Sequence, residues 1–298
     1  MLSKYKIMRG LFKRRSVRIL IWNVVALFNK KRLERFCKEQ LARRHESFVE
    51  FDSNSIGPVV AELEASGAMV GPKLPADTVQ YLLSYSENHP CFADRDQTKG
   101  FYLKDREKAE ALLGKELLLA QYFSAEQDVV IARIANDPYL LSIAARYLKV
   151  PPKLMSVNMW WTFPVDASAE DRARHAHVFH FDLDDLKFVK FFFYLTDVDE
   201  QAGPHVYVKT SNREIRYKTP LFKSRRFTDD EIVAGYGAEN IIEVLGPAGT
   251  CLIEDTITVH KGVTPISRAR LMLQFEYSIN TYSEISCVGD RDAQKIFV

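Results

Sequence analysis

Residues 177–208 read HVFHFDLDDLKFVKFFFYLTDVDEQAGPHVYV, and the alternation within this stretch decides what the chain can be. His180 and Asp182 stand two positions apart in a segment rich in Phe and Val, with turn signals at Asp184-Asp185 and Gly203-Pro204. On a strand, residues i and i+2 share a face, so an imidazole and a carboxylate there converge from one rigid edge. Such a triplet also arises by chance, so a chelating role requires a further ligand elsewhere.

Residues 249–262, GTCLIEDTITVHKG, supply one: His260 follows a predicted strand and precedes Gly262, where the chain can turn sharply. Two histidines and one carboxylate on one face of an ion form the facial triad of non-haem Fe(II) oxygenases, which leaves positions open for co-substrate and dioxygen. Ten residues on, Arg270 opens the strand-like run RLMLQFEYS, 270–278. A guanidinium entering a barrel needs an anionic partner, and its fork matches a carboxylate. Arg268 shares its parity and is the rival anchor. His175 and His177 lie in a polar approach that reads as a mobile loop, and His205 lies in a Gly-Pro turn, so none of them is taken as a ligand.

With these residues and their flanking text, FHFDLDDLKFVKFFFYLTDVDEQAGPHVYV, EDTITVHKG and RLMLQFEYS, the chain resembles the phytanoyl-CoA dioxygenase family of Fe(II)/2-oxoglutarate-dependent oxygenases over roughly residues 150–280. The resemblance implies a double-stranded β-helix. It implies iron held by His180, Asp182 and His260, with 2-oxoglutarate chelating that iron and its far carboxylate on Arg270. The implied reaction couples oxidative decarboxylation of 2-oxoglutarate, with O2, to hydroxylation of a substrate carbon; Asp182 fills the position that related halogenases leave small. One departure is visible: family members commonly carry Gly-Ser-His after the Val-Tyr-Val strand, where this chain has Lys209-Thr210-Ser211-Asn212-Arg213, which puts the substrate side in doubt.

Outward from this centre, residues 153–163, 188–195, 206–209, 241–244, 250–254 and 271–279 read as strands, with one helix capped by Thr228 and Glu231 between them. Short strands without βαβ alternation predict an antiparallel jelly-roll or cupin-like barrel. Residues 55–148 read as helical. The helices expected there begin at Pro75, run from 104 to 123, follow a capping box at 124–127, and start at Asn136-Asp137-Pro138. The fold class expected is α+β, a barrel with an N-terminal helical annex. The domains expected are residues 1–50, basic amphipathic helices, and 51–298, a helical layer with the barrel.

The net charge of +2 hides an asymmetry: residues 1–44 carry fourteen Lys and Arg against Glu34 and Glu39, about +12, which leaves about −10 on the remainder. Inside the basic part the apolar run 19–28 is too short to span a bilayer, and Lys30-Lys31-Arg32 follows it where an export signal would place small residues. Leu20, Val24, Leu27 and Phe28 fall at helical spacing, and a second helix is expected with Leu33, Phe36, Cys37 and Leu41 on one face. These helices either dock on the domain or lie on a membrane surface. Cys37, Cys91, Cys251 and Cys287 make no CxxC pair, so a reducing cytoplasm fits. No nucleic-acid module is present, and the partner expected is a small-molecule, lipid or glycan substrate.

Trp160 and Trp161 project to opposite faces of their strand, so at most one lines a pocket; Trp161 is the candidate taken. Lys190, alone among phenylalanines, either pairs with an acid such as Glu254 or contacts an anionic ligand in the pocket. Two other readings stand beside the oxygenase: a cupin-type metal-binding isomerase or binding protein, in which Arg270 plays no part, and a silent scaffold working through its N-terminus.

Overall fold

The computed structural model describes residues 5, 8, 10, 13–51, 56–214, 226–282 and 294–298; Cys287 and the basic residues Lys4, Lys6 and Arg9 lie outside them. The chain opens on α1 (Arg15–Ala42), followed by α2 (Ile56–Ser66), β1 (Ala68–Lys73) and α3 (Ala76–Asn88). Next come β2 (Cys91–Ala93), β3 (Gly100–Phe101), α4 (Arg106–Leu113), β4 (Leu119–Tyr122), α5 (Val129–Ala135) and α6 (Pro138–Leu148). The barrel half holds β5 (Lys153–Thr162), α7 (Ala169–Arg174), β6 (Phe188–Tyr194), β7 (His205–Val208), α8 (Asp229–Tyr236), β8 (Ile241–Val244), β9 (Thr250–Glu254), β10 (His260–Gly262) and β11 (Arg270–Ser278).

Eight strands form an antiparallel sheet in the order β1-β9-β6-β11-β5-β4-β2-β3, and three form a smaller one, β10-β7-β8. The two sheets make a double-stranded β-helix. Its large sheet is divided by parity, as period-two side chains require. Phe191, Phe193, Leu271, Leu273, Phe275, Val157 and Met159 face the helical layer and join its core. Their neighbours Lys190, Phe192, Arg270, Met272, Gln274, Glu276, Ser156, Asn158 and Trp160 face a cavity shared with the small sheet. The unbroken FVKFFFY of β6 is therefore a strand covered on both faces.

Several expectations need correction. The region 55–148 is not purely helical. The run from 104 breaks at Gly114, which adopts left-handed φ (+67°), and Leu119–Tyr122 is strand β4, drawn into the sheet by pairing with β5. The helix expected after 124–127 is capped by Asp128, whose side chain accepts from the Val130 and Ile131 amides, and not by Ser124. The approach 169–175, read as a loop, contains a helical turn capped by Ser168. The two N-terminal helices are one helix of 28 residues. Of the two readings left open for its apolar residues, docking applies to Ile21, Trp22 and Val25, which pack on the core, while Leu20, Val24, Leu27, Phe28 and Leu41 are exposed. No described helix is long and apolar enough to cross a membrane.

Asp137 joins the segment after α1 to the helical layer. Its carboxylate caps α6 by accepting from the Tyr139 and Leu140 amides, and it also accepts from the Ser47 hydroxyl and the Phe48 amide. Asp137→Ala removes the side-chain acceptor that these four donors share at a buried site and should cost about 2 kcal/mol or more in urea denaturation, with Asp137→Asn losing less.

Candidate metal centre

His180, Asp182 and His260 present one ligand atom each within 4.8 Å of one another, a group able to hold a metal ion. The His-x-Asp pair, read as lying on a strand, stands outside the named strands. Residues 179–180 sit on a lip held by single bridges, Phe179 to Phe227 and His180 to His260. His180 and His260 exchange both backbone hydrogen bonds, at 2.9 and 2.8 Å, and the Asp182 amide donates to the Thr256 carbonyl at 2.7 Å. The lip is thereby stitched to the approach and first residue of β10, and the three side chains meet from two chain segments.

The rings are oriented by their own backbone. His180 Nδ1 lies 3.0 Å from the Val178 carbonyl, and His260 Nδ1 lies 2.9 Å from the Thr258 carbonyl. A carbonyl can only accept, so each Nδ1 carries a proton, which makes Nε2 the ring nitrogen available to a metal. Those Nε2 atoms lie 3.8 and 3.7 Å from the two Asp182 carboxylate oxygens, beyond hydrogen bonding. Burial, and then the neighbouring His260, hold His180 well below the usual imidazole range, so its ring is neutral as a ligand must be.

Lys190 reaches this group from β6. Its Nζ donates to Asp182 Oδ2 at 2.9 Å and Asp184 Oδ2 at 3.0 Å, and lies 3.7 Å from Glu276 Oε2. Burial works against its charge, yet the carboxylates outweigh it and hold the ammonium well above its ordinary range. Burial alone would lift the Asp182 carboxyl; the ammonium of Lys190, first among its neighbours, holds it well below the usual range. Lys190 lines the cavity as part of this ion-pair network, whose members Asp184 and Glu276 the sequence reading missed.

The partner suggested for it, Glu254, stands opposite Lys190 in register but turns to His205, 2.7 Å away. Burial pushes Glu254 up to about 8 and His205 down to about 3, so the two form a neutral pair in which the acid donates to the imidazole. The His205 ring stacks on His260 with centroids 5.5 Å apart. It is thus a buried support for that ring, in β7 and not in a turn.

Arg270 is fully buried in the same cavity of about 380 Å³. Its Nη1 donates to the Gly203 carbonyl, its Nε has no hydrogen-bond partner, and among the described residues no carboxylate pairs with it. Arg268 instead forms an exposed ion pair with Asp199 on the surface. His175 and His177 line the cavity but stand outside the metal-binding group; His177 Nδ1 contacts the Thr264 hydroxyl at 2.8 Å.

Trp161 does not line the cavity. Pairing of Trp160 with Met272 fixes which face of β5 looks inward, so Trp160 enters the cavity while Trp161 stacks on Phe163 in the outer core. Nor does the departing loop 209–213 shape this cavity: Ser211 accepts from the Val259 amide, and Asn212 and Arg213 line a separate cavity beside α1.

Replacing the buried cation leaves carboxylates without compensation, which typically costs 3–5 kcal/mol. Lys190→Met should lower the urea unfolding free energy by about 3 kcal/mol or more, although the methionine fills a similar volume. A loss below about 1 kcal/mol would show that Lys190 is not the counter-ion of this group.

No protein-family model and no curated protein matches the chain. Solved structures do. The epimerase SnoN in complex with Fe3+, alpha ketoglutarate and nogalamycin RO superposes with TM-score 0.53 and 16% identity over 76% of this chain and 84% of that one. EctD from S. alaskensis in its apoform gives 0.51 and 16%, over 78% and 81%. HygX from Streptomyces hygroscopicus with nickel, 2-oxoglutarate and hygromycin B bound gives 0.50 and 16%, over 80% and 95%. At this identity the likeness is one of fold, and the chain shares with these proteins the double-stranded β-helix whose cavity here gathers two histidines and an aspartate.

Proposed function

We propose that the protein is an Fe(II)/2-oxoglutarate-dependent oxygenase that hydroxylates an aliphatic carbon of a polar, glycan-type substrate. The observation that carries this reading is the group of His180, Asp182 and His260 facing one cavity with a buried, carboxylate-free arginine, Arg270. The donor set fits: two imidazole nitrogens and one carboxylate suit a divalent iron and leave part of its surface to other ligands. The orphaned Nε of Arg270 fits a dicarboxylate co-substrate, which supplies the acceptor that this nitrogen lacks.

Bound Fe(II) with 2-oxoglutarate and dioxygen would supply the oxidising power for an unactivated C–H bond. The chain's own residues hold and exclude. Val178 and Thr258 carbonyls fix the two rings, Lys190 fixes one oxygen of Asp182, and Arg270 would grip the far carboxylate of the co-substrate. Trp160, Phe192 and Met272 give part of the cavity an apolar wall, which disfavours water there.

The remaining wall supports a hydroxyl-bearing substrate over an acyl chain. Gln121 donates to Asn158 at 3.2 Å, Asn158 to Ser156 at 3.4 Å, and Ser156 to Glu276 at 3.2 Å, with Gln274 beside them, all on the cavity side of the large sheet. An aliphatic tail against this row would desolvate its polar groups without replacing their bonds to water. SnoN and HygX were captured with nogalamycin RO and hygromycin B respectively, which is consistent with such a wall.

Anaerobic addition of Fe(II) and 2-oxoglutarate to the purified protein should give a visible metal-to-ligand charge-transfer band, and Asp182→Ala should lose it. Absence of the band in the parent, or its survival in Asp182→Ala, sinks the reading. Arg270→Ala should weaken 2-oxoglutarate binding by roughly a hundredfold while Fe(II) affinity stays within a few fold, since a charge-assisted pair is worth a few kcal/mol. Arg268→Ala should change neither by more than about threefold, as an exposed ion pair contributes little. If Arg270→Ala leaves 2-oxoglutarate binding intact, a cupin without this anchor becomes the better description.

A further inference from the structure

Helix α1 carries apolar residues on two faces, and only one of them is used. On the inner face Ile21, Trp22 and Val25 pack on the core, and the Trp22 indole donates to the Leu148 carbonyl at 2.7 Å. Lys149 and Lys187 lie over the Trp22 ring at 4.7 and 4.2 Å, so this tryptophan is engaged by the body of the protein. On the outer face Leu20, Val24, Leu27 and Phe28 are 65%, 47%, 72% and 82% exposed. At 3.6 residues per turn these four share one arc, and the next turns continue it with Lys31, Arg35 and Lys38, all exposed. Lys30 and Arg32 flank them, and Arg14 and Arg15 stand exposed at the other end.

A contiguous exposed group of large side chains needs a partner, and the surrounding charge says which. Residues 1–44 hold about +12. A second copy of the chain would bring two such basic helices face to face, which repulsion opposes. A folded partner binds through roughly 800 Å² per side of matched shape, far more than four side chains along a few turns of helix present. A lipid leaflet needs no shape match. It takes Leu and Phe at the boundary of headgroups and acyl chains, and anionic headgroups attract each nearby Lys or Arg.

We propose that α1 docks the protein on an anionic bilayer surface, lying in the plane of the leaflet with Leu20, Val24, Leu27 and Phe28 in the headgroup layer and Lys31, Arg35 and Lys38 on lipid phosphates. The contact is peripheral, since α1 is not apolar enough to span. It is independent of the chemistry in the barrel, so either can stand without the other.

Liposome sedimentation of the full-length protein tests it. The protein should sediment with phosphatidylcholine vesicles containing phosphatidylglycerol at low salt, leave them as salt rises, and bind pure phosphatidylcholine far less. The double variant L27E/F28E should bind the anionic vesicles at least about tenfold less tightly, because two apolar side chains leave the layer and two like charges enter it. Its thermal melt should match the parent's, as both side chains face solvent. The proposal is overturned if the parent stays in the supernatant with anionic vesicles at low salt, or if L27E/F28E sediments like the parent. A concentration-dependent dimer in sedimentation velocity, abolished by L27E/F28E, overturns it in favour of a second copy.

Discussion

The ammonium of Lys190 lies between the carboxylates of Asp182 and Asp184, with the carboxyl of Glu276 beside it, deep in the barrel, and the arrangement of the barrel interior follows from that contact. A carboxylate at this depth needs compensation, and a cation at this depth needs several partners. Lys190 meets both requirements with one side chain, which is why β6 can tolerate a charge in the middle of FVKFFFY. It also holds Asp182 by one oxygen, so the carboxylate that completes the metal-binding group is not left to rotate. Glu276, pushed up to about 8 chiefly by burial, and the neutral pair of Glu254 and His205 show the same economy: where compensation ends, the proton stays on.

The barrel was legible because its strands keep their period. Residues 241–244 and 250–254 were read to the residue, and β5, β6, β7 and β11 to within one at either end. His180, Asp182, His260 and Arg270 could be singled out because short spacings and parity survive in one dimension, and the structure brings all four to one cavity. What could not be read depends on partners distant in sequence. The run ALLGKELLLAQY carries good helix formers, and it is pairing with β5 on one side and β2 on the other that makes a strand of its end. Glu254 was a fair guess for Lys190 by register, yet whether its carboxylate turns towards Lys190 or His205 is decided by β7 on the other sheet. Trp160 against Trp161 is likewise a choice of face that a single strand cannot reveal.

The N-terminal helix shows a different limit. Helical spacing in 19–28 was plain, but two apolar arcs share those ten residues, and spacing alone does not say which one docks. The structure assigns the inner arc through Trp22, whose indole proton and ring face are both engaged by the body of the protein. The charge asymmetry has a related cause. A strongly basic helix rests on a remainder that is net acidic, so long-range attraction favours the docked arrangement even before apolar contact is made.

The loops on either side of Gly203 act as a tie. Gly203 adopts φ +71°, and a side chain there would meet the Val263 carbonyl at 2.4 Å, so the turn is pressed against residues 263–265. The two loops are laced together: Val263 donates to the Pro204 carbonyl, while Ile266 and Ser267 donate to the Gln201 carbonyl. The turn leads into the small sheet, whereas Arg270, which donates to the Gly203 carbonyl, belongs by its backbone to the large one. A buried guanidinium therefore ties the two sheets together, beside the Tyr194 hydroxyl that donates to the Val244 carbonyl and the pair of His205 with Glu254. A lysine, with one nitrogen in place of a fork, could keep the charge there without both holding the turn and presenting a free nitrogen to the cavity.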